Sequence, residues 1–167
     1  MKVLFLVLPA LLFLVACGNK KQPATEKTIS PGRPELDDTA LIADTITYPV
    51  TIFNFDPTDT WTAQCLSKVQ REKVVNEIFE AIYAGELTVY HYYSDKILSP
   101  EEIRALEAQS DFARDRVEEI QFVETWFFSP RLKKFEKKVH SIVIAYALYT
   151  EEGQRRGLKA AFRIKME

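Results

Sequence analysis

The chain has 167 residues, with 22 basic and 24 acidic side chains and a formal net charge of −2 at neutral pH. That balance argues against nucleic acid as a general partner, which calls for a basic surface, and the length suits one domain. Five scattered glycines leave no glycine-rich phosphate loop and no Gly-x-Ser-x-Gly elbow.

Met1-Lys2 leads into Val3 to Ala16, an uncharged run broken by Pro9. A basic start and a short apolar run make a secretory leader. A permanent span needs ~20 apolar residues. The run ends Leu14-Val15-Ala16-Cys17-Gly18, which resembles the lipobox of bacterial lipoproteins. That resemblance implies cleavage before Cys17, a diacylglycerol on its thiol, and a further chain such as palmitate on the new amino terminus. One acyl chain holds a protein only marginally, at about 0.8 kcal/mol per buried CH₂, whereas two or three hold it durably. Gly18-Asn19 follows, with no Asp at the second position. In a two-membrane bacterium this resembles a lipoprotein forwarded to the outer membrane, facing the periplasm. Cleavage leaves 151 residues with a net charge near −3. It also leaves Cys65 without an intramolecular partner, either to pair between molecules or to pack as a small apolar side chain near a helix start.

Residues 17–47 read as a tether: Pro23, Pro31 and Pro34 with scattered Lys, Thr, Glu and Asp, and neither helical nor strand periodicity. About 30 flexible residues reach ~30 Å. Residues 48–167 read as a single α+β domain. Val50, Ile52 and Phe53 suit a short extended piece. From Thr62 to Ala84, Val75, Ile78, Phe79 and Ile82 recur on one helical face, and Gly85 is placed to end that helix in a left-handed cap. Leu87–Tyr93 is rich in strand formers. Ser99-Pro100-Glu101-Glu102 carries a capping box with Pro at the first helical position. Ala108–Arg116 is polar and ambiguous. Ile120, Phe122, Trp126 and Phe128 alternate with Glu124 among them. Val139–Tyr149 is apolar on both faces and reads as a central strand, and Ala160–Met166 alternates as a half-buried one. The expectation is an antiparallel sheet of about four strands backed by one main helix and one short helix. A cystatin-like or NTF2-like wrap is an analogy of shape only.

No catalytic constellation assembles. Glu118 and Glu119 are adjacent and point apart on a strand, while Glu118 and Glu124 are ~20 Å apart along it. His91 and His140 lack Cys or Asp at ligand spacing, so no metal or cofactor is expected, and no enzymatic activity. Glu124 among apolar neighbours suits a salt bridge to Lys or Arg. Arg131, Lys133, Lys134, Lys137 and Lys138 cluster at a hairpin tip, with Glu136 the one acid among them. Two readings stand: a contact for an acidic protein surface or anionic headgroups, or a solvated turn that resists aggregation. Tyr90, Tyr92, Tyr93, Trp126, Phe127 and Phe128 are dense in aromatics. Alternation puts Phe127 opposite Trp126 and Phe128, so one set is core and the other is covered by a second layer or offered to a partner.

Ile120-Gln121-Phe122-Val123-Glu124-Thr125-Trp126-Phe127-Phe128-Ser129, the basic turn, and Val139-His140-Ser141-Ile142-Val143-Ile144-Ala145 resemble the Glu-x-Trp-x-Phe-Asp segment and following strand of the GldN/PorN family. Ile78–Ile82, Gly85–Tyr90, Leu98–Glu102 and Gly157–Ile164 follow that family's order. The resemblance implies a component of gliding motility or type IX secretion in Bacteroidetes, a periplasmic assembly protein with envelope proteins as partners. Two departures stand out: this chain has its own lipobox and is shorter, and Ser129 replaces the family's acidic residue. The functional expectation is a lipid-anchored envelope interaction protein, membrane-bound through acylated Cys17, with Trp126, Phe127, Arg131, Lys133, Lys134, Lys137 and Lys138 as partner contacts. The alternative is a cystatin-like or NTF2-like module holding a small or peptidic ligand in a pocket lined by Tyr90, Tyr92 and Trp126.

Overall fold

The computed structural model describes residues 39–166. The leader, Cys17 and the tether up to residue 38 lie outside the described residues. From the amino-terminal side the elements are β1 (Ala40–Thr51), α1 (Thr60–Leu66), α2 (Arg71–Tyr83), β2 (Val89–Tyr90) and β3 (Ile97–Leu98). Then come α3 (Pro100–Glu107), a 3-10 turn (Arg114–Arg116), β4 (Val117–Ser129), β5 (Lys134–Tyr149) and β6 (Arg155–Lys165).

Among the described residues the strands form one antiparallel sheet in the order β1-β4-β5-β6-β2-β3. The α+β class stands, but the sheet has six strands, not about four. One extra strand is β1. Residues 40–47, read as the end of the tether, pair with β4 from Phe128 to Val123. Leu41, Ile42, Ile46 and Thr47 are strand formers, but two irregularities in β1 break their alternation. The other is β3, whose two residues pair with β2.

The helix expected over 62–84 is two helices. Ser67 donates its hydroxyl to the Gln64 carbonyl at 2.8 Å, a local bond that competes with the helical ladder. Asp59 caps α1 through Thr62 N–H at 3.0 Å, but α1 buries no residue. Cys65 is therefore exposed, not packed. The apolar stripe lies wholly on α2, which buries Val75, Phe79 and Ile82. After it, Glu86 N–H bonds the Ala81 carbonyl and Gly85 N–H bonds that of Ile82. This is a Schellman cap, with Gly85 at φ +76°. α3 opens with the expected capping box between Ser99 and Glu102.

The core lies between α2 and α3 and one face of the sheet. Phe79 meets the Phe162 ring edge-on at 5.5 Å and that of Phe112 at 5.9 Å. Ile103, Ile142, Ile144, Tyr146 and Ile164 close the same cluster. Each such side chain contributes roughly 1.5–3 kcal/mol by leaving water. At one end the sheet outruns this core. Pairing of β6 on β5 stops at Ser141, whereas β4 stays paired to β5 as far as Lys134 and to β1 as far as Ala40. A three-stranded ribbon of β1, β4 and β5 thus continues past the last bond to the β6 end, Met166 N–H to the His140 carbonyl at 2.7 Å, by about 20 Å, at ~3.4 Å per residue over Lys134–His140.

Candidate interaction surface

The ribbon's first face continues the core face and is organised by a buried carboxylate. Glu124 is 3% exposed. Tyr48 of β1 donates its hydroxyl to Glu124 Oε2 at 2.9 Å, and the Trp126 indole N–H donates to the same oxygen at 2.8 Å. Lys137 of β5 lies 3.6 Å from that oxygen and donates to the Tyr48 hydroxyl at 3.0 Å. Its ammonium sits over both the Tyr48 and Trp126 rings, at 5.2 and 4.7 Å. Burial alone would push the Glu124 carboxyl up. The donors Trp126 and Tyr48 and the charge on Lys137 overcome it and hold the carboxyl below its ordinary value. Tyr48 of β1, Glu124 and Trp126 of β4 and Lys137 of β5 meet at this point, so the cluster fixes β1, β4 and β5 to one another beyond the end of the β6 ladder.

This arrangement divides the expected partner contacts. Trp126 and Lys137 are engaged with Glu124 and Tyr48 and are only partly available. Phe127 faces the other way, opposite Glu136 on β5 and Leu41 on β1. Beside it on that second face are Lys138, paired with Thr125, and a 2.6 Å hydrogen bond between the Thr125 hydroxyl and His140 Nε2. Arg131, Lys133, Lys134 and Lys138 are all exposed. Lys134 pairs with Glu136 at 2.5 Å.

The turn Pro130–Lys133 closes the hairpin, with Lys133 N–H on the Pro130 carbonyl at 3.3 Å and Lys133 at φ +50°. Around this end large apolar side chains are open: Leu41 is 54% exposed, Ile42 50%, Phe135 49% and Leu132 46%. Phe135 meets the Trp126 ring edge-on at 5.5 Å and lies tilted against Phe128 at 6.3 Å. Leu41 and Ile42 belong to the segment read as tether, so sequence reading missed their part in this surface. Their strand-forming character and the shared end of β1 and the hairpin could have found it.

The pocket imagined from Tyr90, Tyr92 and Trp126 does not form. Tyr90 is on β2, three strands from β4, or about 14 Å at 4.8 Å per strand. Tyr92 lies past the end of β2 and is exposed. Open depressions run instead along α2, one lined by Asn76, Glu77, Glu80, Ala81, Ala84 and Glu86.

Other ionic clusters act as braces. Glu118, buried beside a bulge in β4, accepts from Tyr149 at 3.1 Å and Arg155 at 2.9 Å. Glu107 accepts from Tyr83 and from Arg114, whose guanidinium also lies 4.4 Å over the Phe79 ring, so α2, α3 and the 3-10 turn are tied together. Burial and that carboxylate push the Tyr83 hydroxyl up to about 12. Among the described residues no group of three or more His, Cys, Asp and Glu side chains converges to hold a metal ion. Nor is any helix there long and apolar enough to cross a membrane. No protein-family model matches the chain, and no curated protein matches it.

Proposed function

We propose that this protein is a lipid-anchored interaction protein of a bacterial envelope, held to the outer membrane through acylated Cys17 and facing the periplasm. Its working surface is the projecting ribbon of β1, β4 and β5. The carrying observation is that ribbon: it extends beyond the helix-backed core, yet it is locked internally by Glu124, Tyr48, Trp126 and Lys137. A rigid arm with exposed aromatic and basic side chains suits binding better than turnover, because recognition gains when the contact surface is pre-ordered. Phe127 and Lys138 on the second face, with the flanks of Trp126 and Lys137 on the first, are the protein contacts. The resemblance of the ribbon sequence to the GldN/PorN segment points to gliding motility or type IX secretion as the assembly served. That assignment rests on the resemblance alone.

The test is affinity capture of the endogenously tagged, cross-linked protein from its native envelope, read by mass spectrometry. Stoichiometric recovery of gliding or secretion components is the expected result. Recovery of no stoichiometric partner contradicts the assembly role.

A further inference from the structure

β1 and the β4–β5 turn share one end of the ribbon, because Ala40 pairs with Phe128. The chain leading from Cys17 therefore joins the fold beside the hairpin tip. Only 21 residues, 18–38, lie between Cys17 and Thr39, a path of at most about 75 Å when fully extended. That same end exposes Leu41, Ile42, Leu132 and Phe135. It carries Arg131, Lys133, Lys134 and Lys138, and within 130–138 the one acid is Glu136. Apolar side chains ringed by cations at the end nearest an acyl anchor form the pattern of an interfacial contact: the apolar groups enter the headgroup boundary and the cations meet lipid phosphates.

The geometry points to the hairpin tip being seated on the anionic lipid surface that holds the acyl chains, so that the ribbon stands on the membrane and turns its faces sideways to partners. The inference rests on the lipid-anchoring reading above. It divides the labour of the basic cluster: Arg131, Lys133 and Lys134 contact lipid, while Lys138, farther from the turn, is shared with the protein face. An anchor alone leaves orientation free, and a seated tip fixes it. Each cation near an anionic surface raises affinity about fivefold, so reversing two of them lowers the seated-to-unseated ratio by at least about 25-fold.

The test uses the full mature acylated protein in vesicles of phosphatidylethanolamine and phosphatidylglycerol, with phosphatidylcholine vesicles for comparison. In a Cys65→Ser background, Leu132→Cys carries an environment-sensitive fluorophore, and Tyr93→Cys carries it in the control, in the β2–β3 loop. The expected result is a blue shift of the label at position 132 in the anionic vesicles alone, none at position 93, and loss of the shift in Lys133→Glu/Lys134→Glu. A solvent-like label at 132 on protein that remains vesicle-bound overturns the seat while leaving the anchor intact. A label that is solvent-like on vesicles but shielded in native envelopes also overturns it, and assigns the tip to a protein. Mature protein whose Cys17 carries no acyl chain by mass spectrometry overturns the anchoring reading and the seat together.

Discussion

Around Phe79, two helices and the sheet close on one apolar volume. Around Glu124, which lies outside that apolar cluster, three strands hold together through a carboxylate, a phenol, an indole and an ammonium. The first region draws its stability from area removed from water, which is non-directional and tolerates approximate shapes. The second draws on hydrogen bonds and charge, which are directional and costly when left half-made. A ribbon two faces thin cannot bury enough apolar surface to be rigid by packing alone. A buried polar cluster gives it order while leaving its outer surface free for contacts.

The largest break in that comparison comes from the core. Phe79→Ala removes a fully buried ring in contact with Phe112, Phe162 and Arg114. It should cost about 3–5 kcal/mol, read as a lower urea midpoint. A loss under about 1 kcal/mol would mean that Phe79 does not organise the core.

Glu124→Gln probes the ribbon. It keeps the shape but removes the charge that faces Lys137 and weakens the acceptor for Tyr48 and Trp126. A loss of roughly 1–3 kcal/mol is expected, together with a change in Trp126 fluorescence that Phe79→Ala should not produce under native conditions. The pH dependence sharpens the point. The Glu124 carboxyl is held below its ordinary value in the folded chain, so its contribution is fully present above the unfolded-state value of about 4.3. It is lost as pH falls through the folded value, because the unfolded chain binds the proton first. Glu107 is also held low, burial being outweighed by Arg114 and Tyr83, and it adds a loss of the same sign. The acid loss should therefore be shallower in Glu124→Gln than in the parent chain but not absent. Parallel profiles would remove the carboxylate from the account of the ribbon.

Gly85→Ala tests a joint outside both regions. Nothing lies within reach of an added Cβ, so the cost is the left-handed backbone alone, about 1 kcal/mol. At the tip, Lys133→Gly should move stability by less than about 0.5 kcal/mol, since relief of a positive φ offsets the added freedom of the unfolded chain.

Legibility in the sequence followed the same division. The Ser99 capping box, the Gly85 cap and the α2 stripe are local, and each could be named because the deciding residues are neighbours. The three long strands were also visible, though β5 and β6 begin earlier than expected. Lys134–Lys138 and Arg155–Lys159 are mostly charged and exposed, and apolar content alone does not mark them as strand. Residues 40–47 of β1 were read as the end of the tether because they continue a stretch with neither helical nor strand periodicity. Asp44 and Thr45 break the alternation there because they lie in a bulge, and Pro49 stands on an edge strand. A salt bridge for Glu124 was foreseeable from its apolar neighbours. Its Tyr48 partner was not, because the two are 76 residues apart and meet only through the β1–β4 register. The surface at the ribbon's end was half legible for the same reason: the basic turn stands out, and Leu41 and Ile42 join it through pairing.

The most direct test of the central claim, that the ribbon is a contact surface separable from the core, repeats the envelope capture with Phe127→Ala/Lys138→Glu and records the melting curve of each protein. The account predicts loss of the captured partner with an unchanged melting temperature. Undiminished capture of the same partner by the variant would contradict it.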